Sequence, residues 1–228
     1  MTHLQQELDQ LRNSLLEMAR LAANQLRKSI TSLLERDEDL AHEVLFTEKR
    51  VNSFELQIDR ECELIFALHT PVAHDMRLVF STLKINADLE RIGDYSEGIA
   101  KLVLMGGRNF DDELISKLSL RPMFETAYRM MEDITVAYST DDSRLARSVY
   151  KRDKELNEIN HAASAIVVAY CAANPDKIAQ ALYLLSIIRK LERVGDHITN
   201  IAEDIIFYKE AIVLKHTPEN HGPEDSGI

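Results

Sequence analysis

Glu90, Asp94 and Glu97 are spaced by four and three residues, so in a helix their carboxylates share one face and repel one another. A second stripe, Glu48, Asn52, Glu55 and Asp59, falls at i, i+4, i+7 and i+11. Packed side by side, the two stripes would bring seven oxygen-bearing side chains together, and such a cluster needs counter-ions. All-oxygen ligand sets select hard cations such as magnesium, calcium, manganese or iron, and several bridging carboxylates can hold more than one ion. A single stripe of this kind is also what a solvated acidic face looks like. Two features weigh against that bland reading: the second stripe itself, and Gly93, which sits inside a helical pattern at a cost of roughly 1 kcal/mol relative to alanine. Close approach of a neighbouring helix, or of an ion to the backbone between Glu90 and Asp94, would offset that cost.

The arrangement occurs twice. Leu89-Glu90-Arg91-Ile92-Gly93-Asp94 returns as Leu191-Glu192-Arg193-Val194-Gly195-Asp196, an offset of 192 − 90 = 102 residues. Glu48-x-x-Val51-Asn52-x-Phe54 returns as Asp153-x-x-Leu156-Asn157-x-Ile159 at 153 − 48 = 105, so three residues were gained or lost in the turn between the two motifs of a unit. The second set, Asp153, Asn157, Glu192 and Asp196, is poorer in charge: Asn160 replaces Glu55, Ser164 replaces Asp59 and Thr199 replaces Glu97. A weaker or smaller cation site is expected there, with Asn200 or Glu203 one turn further on as possible helpers. His197 points about 100° away from Asp196 on a helix and reads as a surface or interface histidine.

Long helices must position these stripes. Leu4, Leu8, Leu11, Leu15 and Met18 begin an amphipathic pattern that predicts a helix to about Glu35, followed by the charged break Arg36–Asp39. Val44, Val51, Phe54, Ile58 and Ile65 predict a second helix ending near His69. Thr70-Pro71 reads as a cap and first helical residue opening a third helix that Gly106-Gly107 closes. In the second half, Pro122 opens a helix that stops at Asp141-Asp142, a fifth runs to about Ala172, and a sixth follows Asn174-Pro175 to about Ile212. The expected architecture is all-α, two tandem pseudo-symmetric three-helix units over residues 1–107 and 108–215, with a polar, disordered tail over 216–228.

Composition agrees with helices and removes several function classes. Only 7 glycines and 5 prolines punctuate 228 residues, and 45% of the chain is hydrophobic. A net charge of −11 provides no cationic patch for a nucleic-acid backbone. No basic segment leads into an apolar stretch as in a secretory signal, and no run approaches the ~18 apolar residues of a membrane span. Cys62 and Cys171 lie in helical patterns without Cys-x-x-Cys spacing, as expected of packing residues in a reducing cytosol. A di-iron carboxylate enzyme would need two Glu-x-x-His motifs, and only Glu158-Ile-Asn-His161 is present. With no nucleophile elbow, phosphate loop or dinucleotide motif, the chain is expected to bind rather than catalyse. A metal-free helical adaptor, docking a basic partner through its acidic stripes, is the competing reading.

The paired motifs Asp88-Leu-Glu-Arg-Ile-Gly-Asp94 and Lys190-Leu-Glu-Arg-Val-Gly-Asp196, with Thr70-Pro-Val-Ala-His-Asp-Met-Arg77 before the first, resemble the PhoU family over nearly all of residues 1–212. The resemblance implies two three-helix bundles, metal bound through the acidic motifs, a tendency to dimerise, and a cytoplasmic role in phosphate homeostasis. It also implies partners: a phosphate ABC transporter and a membrane sensor kinase, between which family members restrain uptake and phosphate-responsive transcription. Tyr95 departs from the pattern, standing where the family often has the histidine retained in Gly195-Asp196-His197.

Overall fold

The computed structural model describes residues 2–214, so the tail over 216–228, expected to be disordered, lies outside the described residues. Seven α-helices form from the described residues: α1 (His3–Glu35), α2 (Glu38–Leu68), α3 (His74–Gly106), α4 (Asp112–Lys117), α5 (Leu120–Thr140), α6 (Ser143–Ala173) and α7 (Ile178–Glu210). A 3₁₀ turn, Pro175–Lys177, leads into α7. No strand occurs among the described residues. Nor is any of their helices long and apolar enough to cross a membrane.

The expected breaks are made by local chemistry. Arg36 ends α1 in the left-handed region (φ 57°), and Asp37 caps α2 by accepting a hydrogen bond from the Leu40 amide at 3.1 Å. The second half repeats the device 105 residues on: Asp141 ends α5 at φ 53°, and Asp142 accepts from the Arg144 and Leu145 amides. Three expectations need correction. Pro71 does not open α3. Its side chain is buried in the connection, and α3 starts at His74 after Ala73, which takes up a positive φ of 46° without a side-chain cap. Pro122 lies within the first turn of α5 rather than at its start, where its missing N–H is one that the helix leaves unpaired anyway. α7 ends at Glu210, two residues before Ile212, with Ala211 left-handed at φ 59°. Between the halves stands α4, which the apolar pattern alone does not reveal. It is capped by Asp111 and holds Leu114 and Ile115 in the core.

Helices α3 and α7 pack against each other at the centre, with α1 and α2 against α3 and α5 and α6 against α7. The α1 stripe is buried at Leu8, Leu11, Leu15, Met18, Leu26 and Leu33. The central crossing displays the pseudo-twofold relation residue by residue. Asp88 of α3 meets His197 of α7, Oδ1 to Nδ1 at 2.7 Å. Their counterparts at the 102-residue offset, Lys190 (88 + 102) and Tyr95 (197 − 102), meet as an ammonium 5.6 Å from the ring centroid. Tyr95 and His197, equivalent positions of the two halves, also lie ring to ring at 5.6 Å. This reciprocity, in which each residue meets the equivalent of its partner's counterpart, is what a twofold-related interface requires.

Candidate metal centres

The first acidic site forms where α2 crosses α3. Glu48 projects from α2 and is only 6% exposed. Its Oε2 accepts a hydrogen bond from Gln25 Nε2 of α1 at 3.0 Å, while Oε1 is buried without a hydrogen-bond partner. Gly93 makes this placement possible. A Cβ there would stand 3.1 Å from Val51 Cγ1 and 3.3 Å from Glu48 Oε2, so the bare backbone admits both the neighbouring helix and its carboxylate. The first role expected of Gly93, close approach of a neighbouring helix, is met.

Electrostatics records the crowding. Burial, and then repulsion from Asp94, Glu97 and Glu90, pushes the Glu48 carboxyl up to about 7. Glu90 is raised by burial and then by Asp94 and Glu55, with Arg91 opposing, and Glu55 by burial and then by Asp59 and Asp94. The cations at hand sit at the rim. Arg91, more than half exposed, lies 3.0 Å from Asp94 and 3.5 Å from Glu90, and Lys101 pairs with Glu97 at 2.5 Å. Asp59 is turned to Asn86, whose amide donates to it at 2.9 Å, and Asn52 is exposed. The structure therefore gathers Glu48, Glu55, Glu90, Asp94 and Glu97 into one field and sets Asp59 and Asn52 at its edge.

The second site has the same plan with fewer charges. Asp153 Oδ2 accepts from Asn157 Nδ2 at 3.0 Å, and Oδ1 is buried and unpartnered, as Glu48 Oε1 is in the first half. Burial, then Asp196 and, opposed by the Asn157 hydrogen bond, Glu192, raise Asp153 to about 6. Glu192 is raised by burial and Asp196, with Asn160 opposing through a hydrogen bond. Arg193 repeats Arg91, 3.0 Å from Asp196 and 3.7 Å from Glu192. Asn200 does not help this site; it donates to Asp88 across the central crossing at 3.3 Å. Ser164 is exposed, and Thr199 Oγ1 is spent on the Asp196 carbonyl at 2.7 Å.

These donor sets fit a hard cation: each offers a buried, unsatisfied carboxylate oxygen surrounded by further carboxylates, with counter-charge only at the rim, from Arg91 and Lys101 in the first site and Arg193 in the second. The stripes are not closed to contact distance. Among the described residues, no three carboxylates of either stripe bring an oxygen each within 4.8 Å of one another. An ion held here would bind through some of these groups and retain water on the others, or draw them inward. Sequence reasoning missed Gln25, although a signal was present: it stands at a core position of the α1 stripe between Ala22 and Leu26, and it is 1% exposed.

Fold and sites define a class of protein, a duplicated three-helix bundle with one acidic cleft in each half. Residues 15–103 and 120–205 each match the family described as the PhoU domain, and the chain belongs to the PhoU family. It is 32% identical over 210 residues to the phosphate-specific transport system accessory protein PhoU homolog of Pseudomonas putida, covering 92% of this chain and 82% of that one. A crystal structure of PhoU from Pseudomonas aeruginosa superposes with a TM-score of 0.87 at 31% identity, over 91% of this chain and 99% of the other. The phosphate transport system regulatory protein PhoU from Streptococcus pneumoniae superposes at 0.81 and 26% identity, over 93% and 99%.

Proposed function

We propose that this chain is a non-enzymatic accessory regulator of phosphate transport, acting at the cytoplasmic face of a phosphate ABC transporter and on a sensor kinase that sets phosphate-responsive transcription. Residues 1–107 and 108–215 work as two units of one body, and the protein associates as a homodimer. Iron, manganese, magnesium or calcium, held by the acidic clefts, would fix the α2–α3 and α6–α7 packing and hence the surface a partner meets. One observation carries this reading: the same buried, unpartnered carboxylate oxygen appears at Glu48 and Asp153, each beside a helix glycine and the paired acids of its own half. Membership of the family, whose relatives are named as accessory and regulatory proteins of phosphate transport, supplies the pathway.

A second reading, the metal-free adaptor, is favoured by the spacing of the stripes and by Glu48 itself, whose raised carboxyl can be accommodated by holding a proton in place of an ion. Saturable manganese or iron binding separates the two. The regulatory assignment is tested by deleting the gene and measuring phosphate uptake and phosphate-responsive transcription in phosphate-rich medium. Both should rise or fall with loss of the protein; unchanged values, with no paralogue present, would show the assignment to be wrong.

A further inference from the structure

We propose a third metal site, of a different chemical class, at the end of the first bundle: His3, Glu7 and His69 form a three-ligand centre for zinc or a similar borderline divalent ion. Among the described residues this is the group of histidine, cysteine and acidic side chains whose three ligand atoms lie within 4.8 Å of one another. Its geometry follows from two helix ends. Thr2 caps α1 by accepting from the Gln5 amide at 3.2 Å, which starts the helix at His3 and stacks His3 and Glu7 one turn apart on one face. His69 is the C-cap of α2, its amide bonded to the Ile65 carbonyl at 3.0 Å, and its ring lies 5.5 Å from that of His3.

Glu7 stands between the two imidazoles, Oε1 3.1 Å from His3 Nδ1 and Oε2 2.9 Å from His69 Nε2. Neither Glu7 Oε2 nor His69 Nε2 is satisfied by that approach: both atoms are buried and neither has a hydrogen-bond partner, so they are close without being aligned. An ion between them would satisfy both. With metal bonds of about 2.0–2.1 Å, the edge of a coordination tetrahedron is roughly 3.3 Å. The two observed separations, each to a different Glu7 oxygen, are slightly shorter than this edge, and one ligand atom from each of the three residues lies within 4.8 Å of the others, so small movements of the side chains admit the ion. His3, with 73% of its side chain exposed, leaves the fourth position open to a water molecule.

Two imidazoles and one carboxylate distinguish this site from the acidic clefts, whose all-oxygen ligands select harder ions. It is also independent of the internal repeat. At the 105-residue offset the second half carries Arg108 (3 + 105), Asp112 (7 + 105) and Asn174 (69 + 105), which cannot reproduce it. Bound metal would tie the first turn of α1 to the end of α2, beside the 69–73 connection that delivers α3.

The test is zinc titration of the full chain, free of any polyhistidine tag, against a chromophoric chelator, with cobalt substitution as a spectroscopic readout. Wild type should take up one zinc equivalent that His3→Ala/His69→Ala loses or binds at least ~10-fold more weakly. Glu90→Ala/Asp94→Ala should retain it. His216 and His221 remain in every protein, so any zinc they hold is common to all. His3→Gln alters an exposed side chain and guards against misfolding: with the metal-free melting curve unchanged, it should still weaken zinc binding and abolish the visible absorption of four-coordinate cobalt. Equal zinc affinity and stoichiometry in wild type and His3→Gln, or loss of the equivalent in Glu90→Ala/Asp94→Ala instead, would overturn the proposal.

Discussion

Glu48→Gln should stabilise the metal-free protein at pH 8 by on the order of 3 kcal/mol, a rise in melting temperature of ~5–10 °C, and change it little at pH 4.5. The folded carboxyl is raised from 4.5 to about 7, so the native state holds this proton more tightly than the unfolded chain does. Stability therefore falls as pH climbs from about 4.5 through about 7 and is level above that, because the buried carboxylate is then charged and faces Asp94, Glu97 and Glu90. Glutamine keeps the shape and still accepts from Gln25, but never charges. Saturating manganese should cancel the advantage, since a bound cation neutralises the wild-type carboxylate and finds no charged ligand in the variant. Melting curves at the two pH values, with and without manganese, check both signs; a variant no more stable than wild type at pH 8 would mean that Glu48 is not crowded as the structure places it.

Gly195→Val should be more damaging than the same substitution at its counterpart Gly93, costing about 3 kcal/mol, with Gly195→Ala costing about 1. A Cβ at this position would stand 2.5 Å from Leu156 Cδ1 and 2.9 Å from Asp153 Oδ1, and Leu156 is fully buried with little room to turn away. Gly93 is less tight: its nearest neighbours would be at 3.1, 3.2 and 3.3 Å, so Gly93→Ala should fall within about 1 kcal/mol of wild type once the gain in helix propensity is counted. Urea denaturation checks the order. Leu156→Ala combined with Gly195→Val should cost less than the sum of the two single changes, because the lost leucine opens the space the valine needs. Strict additivity would place the strain elsewhere.

Much of this molecule is legible in the sequence because its information is periodic. The α1 leucine stripe, the Asp37 and Asp142 caps and the doubled Leu-Glu-Arg-Ile/Val-Gly-Asp motif are local or repeat at fixed offsets, and helices α1, α2, α3, α5, α6 and α7 end within a few residues of the expected breaks. What escaped is set by how helices cross. Nothing local pairs Gln25 with Glu48 or turns Asp59 toward Asn86 rather than toward Glu90. His3 and His69 are 66 residues apart (69 − 3) and converge only because α1 and α2 run antiparallel over nearly their whole length. Pro71 misled for a related reason: its ring is fixed by burial in the α2–α3 connection, and tertiary packing overrides the proline signal for a helix start.

The acidic clefts are tested most directly by metal analysis after equilibration with manganese or iron, on wild type, Glu90→Ala/Asp94→Ala and Glu192→Ala/Asp196→Ala. The first cleft has six candidate carboxylates, Glu48, Glu55, Asp59, Glu90, Asp94 and Glu97, against Asp153, Glu192 and Asp196 in the second. Wild type should bind saturably, and the Glu90/Asp94 variant should lose more ion than the Glu192/Asp196 variant. Absence of saturable binding to wild type would contradict the metal-centre reading and leave the metal-free adaptor, and equal losses from the two variants would contradict the ordering of the sites.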